Sequence, residues 1–172
     1  MKVLTSALAA TSVSLVLLSC TTGEAEPSKG TYSLQFPSTA AAVATDSVQV
    51  LVFDVKTPEE RAGICQDLII ARRTRPESLE PVVPPPASAN VCEMLLGRRP
   101  VIVPYGEHAL LAIAQRQDER GELRDFLIGC AVMTIGDGDP PLPIALKLVS
   151  VNAPIPPTNC ATVGDYCASK CD

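Results

Sequence analysis

The amino-acid sequence predicts a mainly β fold, a β-sandwich with one inserted helix and a disulfide-stapled C-terminal tail. Three observations predict it. Several short segments alternate or run apolar at strand length, separated by Gly- and Pro-rich turns. One stretch, residues 57–73, switches to helical spacing behind a capping signature. Six cysteines follow an export-type N-terminal segment, and three of them fall within residues 160–171.

Residues 3–18, VLTSALAATSVSLVLL, carry no charge and follow Lys2. A basic start, an apolar run and a small residue before a break describe an export signal. The run is shorter than the roughly 20 residues a membrane-spanning helix needs, and no basic cluster follows it. Leu17-Leu18-Ser19-Cys20 resembles the lipobox of bacterial lipoproteins. In that family the cysteine thiol carries a diacylglycerol and the signal is cut just before it. The resemblance implies lipidation at Cys20, a signal peptide over 1–19 and membrane attachment through the anchor. Thr21 after the cysteine implies the outer membrane, with the periplasmic or surface side left open. The competing reading is an ordinary secretory signal with an incidental cysteine. Residues 20–30 then read as a flexible tether.

The domain spans residues 31–151. In YSLQF, Tyr32, Leu34 and Phe36 alternate with Ser33 and Gln35, a strand with one wet face. Residues 37–46 read as an Ala-rich linker. SVQVLVFDV (47–55) is apolar on both faces and rich in β-branched residues, which suits a central strand covered on both sides. Thr57-Pro58-Glu59-Glu60 supplies a cap, Pro at the first helical position and Glu at the third. It predicts a helix over 58–73, with Ile64, Cys65, Leu68 and Ile69 on one face. Arg72, Arg73 and Arg75 suit its negative C-terminal end, and an anion-binding patch is the alternative. Residues 76–90 hold five prolines and read as an extended loop.

VCEML (91–95) is short and apolar, and VIV (101–103) reads as a brief strand. HALLAIAQRQ (108–117) and DFLIGCAVMTI (125–135) flank a charged turn and should pair as a hairpin. LPIALKLVSV (142–151) alternates and reads as one final strand with a core face. Residues 152–172 form a Cys-rich tail that can staple loops but not build a core.

Removing residues 1–19 leaves about 150 residues, a single-domain length able to bury a core. The charge is −5, or −6 without Lys2. With neither a basic patch nor aromatic interleaving, nucleic acid is not expected as a partner. There is no Trp and only three Tyr and three Phe, too few for a site that stacks sugars or bases.

Seven cysteines are present. If Cys20 is lipidated, Cys65, Cys92, Cys130, Cys160, Cys167 and Cys171 remain as disulfide candidates, with 15 possible pairings. Cys65 with Cys92 would close the Pro-rich loop. Cys130, central in its strand, would then take one tail cysteine, and the last two would pair together. Zinc is the competitor, but no CxxC occurs and His108 is the only histidine. A catalytic His108 would need a serine or other nucleophile, and no GxSxG turn presents one. A surface or strand-end histidine is the plainer reading. Asp137-Gly138-Asp139 offers hard oxygen ligands for calcium, but a hairpin turn explains the same residues. No cofactor and no metal are expected.

Two further resemblances bear on fold and function. Pro104-Tyr105-Gly106, followed by alternating apolar residues and a later Leu-rich strand, resembles the P-x-G strand entry of transthyretin-like and carboxypeptidase-regulatory-like sandwich domains. It covers roughly residues 100–150 and implies an Ig-like or transthyretin-like sandwich. The whole chain resembles the small Cys-rich lipoproteins of myxobacteria and their relatives, most of which have no assigned activity, and this favours a non-enzymatic protein. The expected function is a membrane-anchored structural or interaction module with an envelope protein as a possible partner. The alternative is a module capturing a peptide, sugar or ion in its Pro-rich and Cys-rich loops.

Overall fold

The protein is described by a computed structural model over residues 32–84, 88–95, 103–136 and 141–171. The signal segment, the Leu17–Cys20 motif, the tether, Val101, Ile102 and Asp137–Asp139 lie outside the described residues.

The fold is mainly β and has two sheets. Strands β2 (Ser47–Asp54), β3 (Gly106–Gln117), β4 (Leu123–Ile135) and β6 (Lys147–Leu148) form an antiparallel sheet in that order. Strands β1 (Tyr32–Gln35) and β5 (Leu142–Ala145) form a parallel pair. Helix α2 (Pro58–Thr74) covers one face of the larger sheet. The β1–β5 pair covers the other, together with α1 (Thr39–Val43) and α3 (Val91–Leu95). Tail helix α4 (Val163–Cys167) touches α1 and α3.

Strand alternation builds the two cores. Val48, Val50, Val52, Leu110, Ala112 and Leu127 point to the β1–β5 side, where Ile144 and Leu146 meet them. Leu51, Phe53, Leu111, Ile113 and Ile128 point to the helix side and pack on Ile64 and Leu68. Each fully buried Leu, Ile or Val side chain contributes about 1.5–3 kcal/mol.

Helix α2 starts where the sequence places it. The Thr57 hydroxyl accepts from the Glu60 N–H at 3.1 Å, and the Glu60 carboxylate reaches back to the Lys56 N–H at 2.8 Å. The β3–β4 hairpin also forms, paired from Gly106↔Ile135 to Gln117↔Leu123 with one register shift between Ala114 and Gln115. Its turn is held by Asp118, whose carboxylate accepts from the N–H groups of Arg120 and Glu122. Gly121 takes φ +79° there, a left-handed conformation that glycine enters without a Cβ clash. The Glu122 N–H, helped by that of Arg120 and by the Arg124 guanidinium, holds the Asp118 carboxyl below its ordinary value against desolvation.

Three expectations change. The segment 37–46 is not a linker. Ser38 caps α1 by accepting from the Ala41 N–H at 3.1 Å, and Ala41 and Ala42 are fully buried. Alanine is both the best helix former and small enough to seat a helical turn flush on the core.

Strand β2 is covered on both faces, but it is an edge strand, not a central one. The Pro-rich loop shields its outer edge. Val48 and Ala89 exchange two backbone hydrogen bonds, at 2.7 and 3.0 Å, and the Val82 N–H donates to the Val52 carbonyl at 2.8 Å. Prolines lack donors, so the loop makes isolated bonds instead of a full ladder.

Residues 142–151 are not one strand. β5 pairs with β1, and after Leu146 the chain switches to pair β6 with β4, through Leu127↔Leu148 and Ile128↔Lys147. The crossing brings the chain against Gly129 of β4. A Cβ there would run into the Ala145 carbonyl, sitting 3.0 Å from its carbon, and would lie 3.3 Å from Ile144 Cγ2. Only glycine lets the two backbones come this close.

Candidate functional site

The six cysteines are all paired, but not as expected. Cys65 on α2 bonds Cys130 on β4, Cys92 on α3 bonds Cys167 on α4, and Cys160 bonds Cys171 within the tail. The Cys65–Cys92 pairing is therefore corrected, and so is the pairing of Cys130 with a tail cysteine. Strand parity is the reason. Cys130 shares a face with Ile128 and Val132, which is the α2 side of the sheet. Helix α3 sends Met94 into the core on the opposite side, where the tail also lies. A Cys65–Cys92 bond would have to pass through the sheet.

His108 is the third residue of β3 and is buried, not on the surface. The β2–β3 register sets it directly across from Asp54. Its Nδ1 lies 3.1 Å from Asp54 Oδ1, without the alignment of a hydrogen bond. Its Nε2 lies 3.3 Å from the Tyr105 carbonyl oxygen, with Gly106 alongside. A carboxylate on one ring nitrogen is the first half of a catalytic arrangement. The second half requires the other nitrogen to face a nucleophile or water. Here that nitrogen faces a backbone carbonyl. The arrangement can anchor the start of β3 but offers no path to take a substrate proton. Asp54 escaped sequence reasoning because its contact depends on register between strands 54 residues apart in sequence.

The three arginines at the end of α2 do not form a common patch. Arg72 makes a two-pronged ion pair with Asp125, both bonds at 2.8 Å, and Gln115 donates to the same carboxylate at 2.9 Å. Arg73 donates to the Val149 carbonyl at 3.3 Å. Arg75 is exposed. On the other face Arg116 lies over the Phe126 ring and donates to the Pro154 carbonyl at 3.0 Å. Arg73 and Arg116 thus hold the chain where it leaves β6 for the tail.

The hydrogen bond to Asp125 raises the Arg72 pKa against the cost of burial. Burial pushes the Asp125 carboxyl up, but hydrogen bonds from Arg72 and Gln115 and the guanidinium charge together leave it below its ordinary value. A carboxyl depressed in the folded state contributes stability that is complete above the unfolded value and is lost as pH falls through the folded one. Asp125→Asn is therefore expected to cost about 2 kcal/mol near neutral pH. In urea melts the cost should hold between pH 6 and about pH 5 and shrink from there to pH 3, as pH falls past the ordinary carboxyl value. A cost that does not change over that range would show that the charge contributes nothing.

A concavity lies between α2, the end of β2 and the loop that follows the 3-10 turn Pro76–Ser78. It encloses about 500 Å³. Two further clefts, of about 460 and 550 Å³, adjoin Cys92–Cys167 and Cys160–Cys171, with Tyr166 on the wall of both. Among the described residues, no group of three or more His, Cys, Asp or Glu side chains could hold a metal ion, and no helix is long and apolar enough to cross a membrane. No family model, no curated protein and no solved structure matches the chain.

Proposed function

We propose that the chain is a lipid-anchored lipoprotein of the bacterial outer membrane whose domain is a non-enzymatic interaction module. One observation carries the reading. Six of the seven cysteines are paired with each other, and the one left over is Cys20, at the close of the Leu17-Leu18-Ser19-Cys20 motif. Each buried lipid methylene contributes about 0.8 kcal/mol, so a cysteine with two or more acyl chains holds the membrane stably. The buried His108 supports the non-enzymatic part, since Nδ1 lies beside Asp54 and Nε2 beside the Tyr105 carbonyl. The partner is an envelope protein, reached by a domain held off the bilayer on residues 20–30. The acidic balance disfavours nucleic acid.

The domain itself is best read as an Ig-like or transthyretin-like sandwich variant. What supports this is the β1–β5 pair lying over one face of the larger sheet, and the chain changing sheets at Leu146. The second reading, a module that captures a small ligand, draws support from the clefts beside the tail disulfides.

Metabolic labelling with a clickable fatty acid tests the anchor. Label should appear in the wild-type chain and be absent from Cys20→Ser. Label that persists in the variant, or never appears in the wild type, overturns it. Cross-linking in intact cells tests the module: a discrete adduct with an envelope protein is expected, and a chain that remains monomeric contradicts it.

A further inference from the structure

We propose that the groove between α2 and the loop after the 3-10 turn is a docking site for a basic, apolar peptide segment of a partner protein. The proposal rests on the interaction-module reading and names the chemistry of the partner.

The floor of the groove is apolar. Phe53, Ile64 and Leu68 line it and remain 7–9% exposed, whereas Ala109, Leu111 and Ile113 beneath the same helix are at most 1% exposed. Leu79 and Val82 continue the apolar surface up the loop wall, and Val82 is 45% exposed. These three core residues keep a small part of their surface open to the groove. A side chain laid into it would complete burial of those residues.

The rim is acidic. Asp54, Glu60, Asp67 and Glu80 line it against a single cation, Lys56. Two of these carboxylates are engaged: Asp54 lies beside His108, and Glu60 caps α2. Asp67 and Glu80 are exposed and make no ion pair with a described residue.

The arginines of α2 explain why this negative charge is left over. Arg61 and Arg72 turn toward the sheet and are neutralised there by Glu107 and Asp125. Two of the three arginines of α2 are thus taken up against the sheet, while Glu60 and Asp67 line the groove. An occupant must therefore bring both apolar side chains for the floor and Lys or Arg for the rim. A segment alternating the two types supplies them in any extended conformation.

The test is fluorescence anisotropy with the full chain in detergent and a short labelled peptide alternating Leu and Lys. The control peptide alternates Leu and Glu. Binding of the Leu-Lys peptide alone is expected, weakening as salt is raised. The double variant Asp67→Lys/Glu80→Lys, changed only at exposed positions, should weaken it by about tenfold or more. Val82→Asp should weaken it as well. Equal binding of both peptides, or wild-type affinity in the charge-reversed variant, overturns the proposal.

Cross-linking in cells separates this outcome from failure of the module reading. If the charge-reversed variant still forms the envelope adduct, the groove is wrong and the module reading stands. If no chain forms an adduct, the module reading falls independently of the peptide result.

Discussion

Gly129→Val is expected to lower the unfolding free energy by about 3 kcal/mol. A side chain at this position meets backbone, not a flexible neighbour. The Ala145 carbonyl group occupies the space a Cβ would take, and Ile144 Cγ2 closes the other side. Relief would require β5 to lift away. That would disturb its pairing with β1 and expose Ile144, which is fully buried. Gly121→Ala is the control. Nothing lies within 4 Å of a Cβ there, so only the left-handed backbone is penalised, at about 1 kcal/mol. Guanidinium melts of both variants measure the contrast. Equal losses would mean that the sheets do not approach at Gly129.

Removing the helix-to-sheet disulfide with Cys65→Ala/Cys130→Ala is expected to cost about 4 kcal/mol. The bond joins residues 65 apart in sequence, and loop-closure entropy in the unfolded chain grows with that separation. The cost is comparable to the whole stability of a marginal domain. Helix α2 is otherwise held by Ile64, Leu68 and the ion pairs of Arg61 and Arg72, so its docking should loosen first. The Cys160–Cys171 bond closes a separation of only 11, and its removal with Cys160→Ala/Cys171→Ala should cost about 3 kcal/mol in the same model. It leaves the sheet cores untouched. Denaturant midpoints of the two double variants give the comparison. A smaller loss for the Cys65/Cys130 variant than for the tail variant would contradict the framework described here.

Much of the fold was legible because local signals and tertiary packing agree. Thr57, Pro58 and Glu60 announce the start of α2, and the structure uses them as caps. The β3–β4 hairpin follows from two apolar strands around a charged turn. What stayed hidden depends on which elements become neighbours. Strand β2 carries the two-sided apolar pattern of a central strand, because a loop that covers an edge leaves the same side-chain pattern as another strand would. The alternation of residues 142–151 continues unbroken across a change of sheet, so periodicity alone sees one strand.

The same limit governs the site. Parity puts Cys130 with Ile128 and Val132, but the sequence does not say which face receives α2, and a short-loop argument favours Cys92 for Cys65. The groove was invisible for a related reason. Nothing local ties Asp67 to Glu80; α2 and the loop bring them to one rim.

The central claim is a chain with one lipidated cysteine and three disulfides. Intact mass of the protein extracted from membranes, with and without reduction before alkylation, tests it most directly. The account predicts the mass of residues 20–172 plus acyl chains, gaining six alkyl groups only after reduction. An unacylated chain, or one that takes up alkyl groups before reduction, would contradict it.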